Sequence, residues 1–194
     1  MISVMQAQNA ITTTITKGKE VTLSISESLG CVLAENLICP IDLPPFHQSG
    51  VDGYAFRYED YKNDNPITII GESSAGKSFS GEIGAMQAVR IFTGAEVPVG
   101  ADTIVMQEKV TVAADILQIN DEQIVSGANV RPQGSHIKKH DSALTRGKVI
   151  NAGTISFLAS MGFACVKVYA KPRVSIIITG DELQQPGESL SAGQ

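Results

Sequence analysis

Tryptophan is absent from these 194 residues, and the aromatic share is only 5%. A core without large rings must rest on Ile, Val, Leu and Ala, and a hydrophobic fraction of 43% is enough to build one. That excludes a disordered chain and favours β structure with several small cores. Cysteine is scarce as well. Cys31, Cys39 and Cys165 are odd in number and show no Cys-x-x-Cys spacing, so all three are expected to be buried free thiols, not a metal or redox site. There is no basic excess: fifteen Lys and Arg stand against twenty Asp and Glu, net −5. This argues against nucleic acid and anionic membrane as partners. The N-terminus lacks the basic start and apolar run of a signal peptide, and no stretch approaches the length of a membrane span, so a cytoplasmic location is expected.

What the chain has in quantity is glycine and proline, and they concentrate tellingly. Pro40, Pro44 and Pro45 restrain φ and keep the residues before them extended until Gly50 and Gly53 allow a turn. Asp52 then sits on a preset bend. A binding loop and an ordinary Asp-Gly hairpin turn both fit this pattern.

Val4, Ala7, Ile11 and Ile15 recur at helical spacing and predict a helix over 3–16 ending near Gly18. Val21, Leu23 and Ile25 alternate as a strand. Ser26 caps a predicted second helix with Leu29, Val32 and Leu33 on one face, before extended chain at 37–39. From 40 to about 133 short strands alternate with turns, at 67–70, 88–92, 103–107, 109–113, 116–119 and 128–131, which indicates a small β barrel or folded sheet. Asn151 or Thr154 caps a helix through Met161, stopped at Gly162 and followed by a strand at 164–169. Val174 to Ile178 is a β-branched run that reads as a buried parallel strand opening into Thr179-Gly180-Asp181-Glu182. One such strand cannot make a sheet, so the chain is expected to be a fragment.

Gly71-Glu72-Ser73-Ser74-Ala75-Gly76-Lys77-Ser78 satisfies the phosphate-binding pattern G-x-x-x-x-G-K-[ST]. That loop works only where its Lys and Ser open a helix. Gly81 and Gly84 follow within a turn and a half, so a surface loop between strands is expected instead. Asp52 and Glu182 are loop carboxylates, either a turn residue and a helix cap or a pair able to hold a hydrated divalent cation against phosphate oxygens. Thr93, between a strand and Gly94, is either a turn residue or one whose hydroxyl and N–H face an oxyanion. Residues 131–148 carry Arg131, Lys138, Lys139, Arg146 and Lys148 against Asp141, which suits either an anionic substrate or a solvated face.

Three motifs in order, Pro40 to Ala55, Arg90 to Glu108 and Thr179 to Leu183, resemble the MoeA family, which includes the gephyrin E domain and inserts molybdenum into molybdopterin. The resemblance runs from about Val21 to the last residue and covers about the first half of a family member. It implies an α+β, mainly β fold: an elongated domain (21–39 with 138–170), an inserted small β-barrel-like domain (40–137), and the first elements of a truncated α/β domain (1–20 and 171–194). It also implies adenylylated molybdopterin and molybdate as substrates, Mg²⁺ as cofactor, AMP as a product, and a homodimer whose site joins the inserted domain of one subunit to the α/β domain of the other. Asp52, Thr93 and Glu182 are the implied catalytic residues. Ser49, Gly53, Gly94, Arg131, His136, Gly180 and Asp181 are the implied substrate contacts. One departure stands out. The family's Arg-x-x-Gly-Glu-Asp-Ile reads Arg131-Pro132-Gln133-Gly134-Ser135-His136-Ile137 here, with both acids gone, which puts the metal preference or the molybdate contact at His136 in question. The alternative is a non-catalytic scaffold or partner-binding relative of the same fold.

Overall fold

The structure, a computed structural model, describes residues 2–62, 66–177, 179–180, 183–190 and 192. The chain opens with α1 (Val4–Thr14), held by a reciprocal cap in which Gln6 N–H donates to Ser3 Oγ and Ser3 N–H to Gln6 Oε1. Thr12, Thr13 and Thr14 turn their hydroxyls back to carbonyls of residues 8–10, and the helix stops at Ile15, before Gly18. None of its residues is buried.

β1 (Glu20–Ser24), β2 (Val32–Leu33) and β3 (Leu37–Ile38) follow. The helix expected after Ser26 does not form. Residues 25–30 are turns, Ser28 Oγ donates to the Ile25 carbonyl, and Gly30 takes φ 73°. So short a stretch gains too few hydrogen bonds to nucleate a helix, while Val32 and Leu33 gain strand pairing with Tyr169 and Val168.

The middle of the chain supplies β4 (Gln48–Ser49), β5 (Gly53–Phe56), the short helix α2 (Tyr58–Lys62), β6 (Ile67–Ser73), β7 (Gln87–Ile91), β8 (Thr103–Met106), β9 (Val110–Ala113), β10 (Ile116–Ile119) and β11 (Val130–Arg131). Then come β12 (Ser142–Leu144), α3 (Ala152–Ser160) and β13 (Cys165–Tyr169). Asn151 caps α3 by accepting from Thr154 N–H and Oγ1, and Gly162 ends it at φ 84°.

The fold is α+β and mainly β. Six strands form one sheet in the order β8-β5-β7-β6-β10-β9, antiparallel throughout except for the parallel pair β6 and β7. Its two faces have separate cores. Phe56, Ala88 and Val105 lie on one with Ile67, Leu117 and Ile124, and Ala55, Ile91 and Ile104 lie on the other with Ala95 and Val97. A third core joins the ends of the chain: Leu33, Ile150, Leu158, Met161 and Val168 pack together under the sheet β1-β13-β2. Side chains buried this fully stabilise by roughly 1.5–3 kcal/mol each.

The route into and out of the six-stranded sheet is a single ladder. Cys39 N–H donates to the Asp141 carbonyl, His140 N–H to Cys39, Leu43 N–H to Ile137 and His136 N–H to Leu43. β3 pairs with β12 beside it.

Two further expectations are corrected by this structure. Cys31 and Cys39 are buried, but Cys165 is exposed, because β13 turns Val166 and Val168 inward and Cys165 and Lys167 outward. Residues 174–177 form no strand: Val174, Ile176 and Ile177 are exposed, with no described strand beside them to pair with. Ile178 lies outside the described residues. As expected, the phosphate-loop pattern carries no helix: β6 runs on to Ser73, and Ser74 and Lys77 exchange backbone hydrogen bonds across a tight turn with Gly76 at φ 79°.

Candidate functional site

The proline-rich segment delivers Asp52 to the end of the six-stranded sheet. Ser49 N–H donates to the Ala95 carbonyl, Gly94 N–H to Ser49, and Gly50 N–H to Asn129, so the segment is tied on both sides. Ser49 is buried and its hydroxyl donates to the Val51 carbonyl at 2.6 Å, shaping the bend before Asp52. Gly53 starts β5 and is not a hairpin turn. It lies between Ile91 and Met106, and a Cβ placed on it would stand 1.9 Å from the Val105 carbonyl oxygen. Glycine is required there by close strand approach.

Asp52 Oδ1 accepts two hydrogen bonds from Thr93, one from its N–H and one from Oγ1, each 2.7 Å. Thr93 occupies the turn after β7, where Gly94 takes φ 85° and Ala95 N–H donates to the Phe92 carbonyl. The Thr93 hydroxyl, then its amide, and the Arg90 charge hold the Asp52 carboxyl below the ordinary aspartate range, against a partial desolvation that pushes it up. The two donors expected to face an oxyanion are therefore engaged by the protein's own carboxylate. Asp52 Oδ2 carries no hydrogen bond among the described residues.

Next to this pair stands Arg90, whose guanidinium lies 4.9 Å from the Tyr54 ring centroid and 5.1 Å from that of Phe92. It donates to Gln107 Oε1, and Gln107 N–H donates to the Asp52 carbonyl at 3.0 Å. Arg90 and Gln107 have no role in the sequence reading. The signal was alternation: once Gly53–Phe56 is a strand, Asp52 and Tyr54 share a face with Arg90 and Phe92.

The remaining residues are more dispersed. The Gly94 carbonyl accepts from Gln48 Nε2. Arg131 is exposed on β11, opposite Gln48. His136 is exposed beside Leu43, and among the described residues no hydrogen bond links it to Asp52 or Thr93. Gly180 lies in the irregular C-terminal stretch, while Asp181 and Glu182 lie outside the described residues. The basic stretch is partly absorbed by structure, since Arg146 donates to Glu20 and to the Tyr169 hydroxyl.

Concavity does not single out this site. A cavity of about 670 Å³ lies between Ile15, Gly30, Cys31, Tyr169 and Pro172, and one of about 490 Å³ lies beside His47, Glu96 and Gln133. Asp52 lines neither. Among the described residues no group of three or more His, Cys, Asp or Glu could hold a metal ion. Asp52 is a hard oxygen donor with one oxygen outside the Thr93 bonds, which suits a cation that keeps most of its waters and takes one or two carboxylates.

The family model for the MoeA N-terminal region (domain I and II) matches residues 2–162. A molybdopterin molybdenumtransferase from Haemophilus influenzae is 38% identical over 172 residues, 89% of this chain and 43% of that protein. One from Staphylococcus epidermidis is 35% identical over 198 residues, 100% of this chain and 47% of that protein. A crystal structure of a molybdopterin biosynthesis MoeA protein from Pyrococcus horikoshii aligns with a TM-score of 0.75 and 34% identity over 88% of this chain and 46% of that one. The chain thus spans less than half the length of these relatives.

Proposed function

The chain belongs to the MoeA family through its N-terminal region, and from that membership we propose that it supplies the Asp52 half of a molybdopterin molybdenumtransferase active site. The reaction is insertion of molybdenum from molybdate into adenylylated molybdopterin, giving molybdenum cofactor and AMP. The observation that carries this reading is the doubly bonded Asp52 Oδ1, which fixes the carboxylate at the end of the sheet with its second oxygen taking no hydrogen bond among the described residues.

In this reading residues 40–137 form the inserted domain that carries the site, and 21–39 with 138–170 form its support. Asp52 Oδ2, with Glu182 contributed across a homodimer, would hold Mg²⁺. That ion supplies charge neutralisation at the phosphate oxygens when the adenylyl bond breaks. Thr93 fixes the Asp52 rotamer. Gly53, by letting β5 approach β8, sets the depth at which Asp52 sits. Ser49 and Gly94 hold the two loops in register, and Arg131 and His136 offer positive charge or hydrogen bonds to the anionic substrates. Gly180 and Asp181 would contact the substrate beside Glu182. The chain's contribution is positioning and electrostatics, with no nucleophile–base pair required.

The test uses a full-length protein carrying this chain, supplied with adenylylated molybdopterin, molybdate and Mg²⁺, with AMP release as the readout. Release that falls in Asp52→Ala while the protein stays folded is the expected result. A folded wild-type protein that releases no AMP would favour the non-catalytic scaffold.

A further inference from the structure

We propose that Arg90 is a positioning residue for Asp52, acting through a strap that crosses β5 on the site face of the sheet. The inference rests on the reading of Asp52 as a site residue.

The topology forces the strap. The local strand order is β8-β5-β7, Arg90 is on β7, and Gln107 directly follows β8, so the Arg90–Gln107 hydrogen bond has to pass over β5. It passes where Tyr54 stands opposite Arg90 on one side and opposite Val105 on the other. Tyr54 offers its ring as the floor, 4.9 Å from the guanidinium, and Phe92 closes the far side at 5.1 Å.

Each group that Arg90 touches is within two covalent or hydrogen-bond steps of Asp52. Tyr54 lies two residues beyond it. Phe92 precedes Thr93, whose amide and hydroxyl hold Oδ1. Gln107 gives its backbone N–H to the Asp52 carbonyl. A flat, delocalised cation between two rings, with a fork of donors at its edge, is a task a lysine cannot perform. Arg90 therefore ties three loop ends together around one carboxylate without bonding to it, and removing it frees the Thr93 turn and the Gln107 end to shift independently.

Backbone amide exchange in the 194-residue chain tests this without any turnover. Arg90→Ala and Arg90→Lys are both expected to speed exchange of the Thr93 amide by roughly tenfold or more, leaving the Ala55 and Val89 amides of the central strands unchanged. Gln107→Ala, which removes the strap alone, should move Thr93 in the same direction. An unchanged Thr93 amide in Arg90→Ala or Gln107→Ala would overturn the proposal, as would a uniform rise at all amides or full rescue by lysine. In the full-length protein, Arg90→Lys should lower kcat roughly tenfold to a hundredfold with KM held, since a small misplacement of a catalytic group costs that much. Altered Thr93 exchange with undiminished kcat would leave the strap standing and remove Asp52 from catalysis, so the two failures are distinguishable.

Discussion

Asp52 and Thr93 are 41 residues apart in the chain and meet at a single oxygen, Asp52 Oδ1, which takes both the Thr93 amide and its hydroxyl at 2.7 Å. One carboxylate oxygen is thereby committed to structure, and the other carries no hydrogen bond among the described residues. Since the two donors come from one residue on a glycine turn, the geometry of the site depends on the β7 turn as much as on the Asp52 loop.

Thr93→Val keeps the amide and removes the hydroxyl. It should lower AMP release by the full-length protein roughly tenfold or more while the unfolding midpoint moves little, because a solvent-exposed hydrogen bond exchanges with water at small net cost. Parallel activity assays and thermal melts decide it. Normal turnover would show that the amide alone is sufficient to hold Asp52.

The Asp52 carboxyl is held below the ordinary aspartate value of 3.8, chiefly by the Thr93 hydroxyl. The sign follows from that depression. The stabilisation is fully present above the unfolded value and is lost as pH falls through the lower folded value. Asp52 should therefore remain ionised throughout the range above the ordinary aspartate value, and any acid limb of activity there must belong to another group. Carboxyl NMR titration of the 194-residue chain should show Asp52 titrating below its usual range, and Thr93→Val should move it upward.

Gly53→Ala should be strongly destabilising, by about 3 kcal/mol or more, because its Cβ would collide with the backbone carbonyl of Val105 and no side-chain rotation can relieve that contact. Denaturant unfolding measures the loss. A drop below about 1 kcal/mol would mean that β5 and β8 can separate without cost.

His136→Asp places on an exposed loop the acid that the resemblance implies there, and turnover should persist or rise. A folded but inactive variant would show a site rebuilt around the imidazole.

Residues 1–194 alone should release no AMP, since residues 174–177 are exposed and find no strand to pair with among the described residues, leaving the proposed second half of the site unsupported. Turnover by the 194-residue chain comparable to that of the full-length protein would contradict this.

Periodicity made most strands legible: Ile67, Gln87, Thr103, Val110 and Ile116 each open a strand within a residue or two of where the pattern puts it. It failed where burial is two-sided. β5 has Ala55 on one core and Phe56 on another, so it shows no alternation, and its opening Asp-Gly imitates a turn. The same blind spot hid Arg90, because a cation on a strand gains meaning only when Tyr54 is known to lie opposite it. The β-branched run at 174–177 shows the converse: propensity alone does not make a strand without a neighbour to pair with. Asp52 and Thr93 were legible as letters in two motifs, whereas their shared oxygen was not, since nothing local in the chain encodes a contact across 41 residues.

The ladder from Cys39 and Leu43 to Ile137 and Asp141 gives the middle of the chain a single doorway, through which it both enters and leaves. A unit whose two ends meet can be transplanted. Residues 44–136, closed by a short linker or grafted between two adjacent strands of another protein, carry both Asp52 and Thr93 with them. Inheritance could move the pair the same way, as one cassette whose host need supply only a gap the width of two hydrogen-bonded strands.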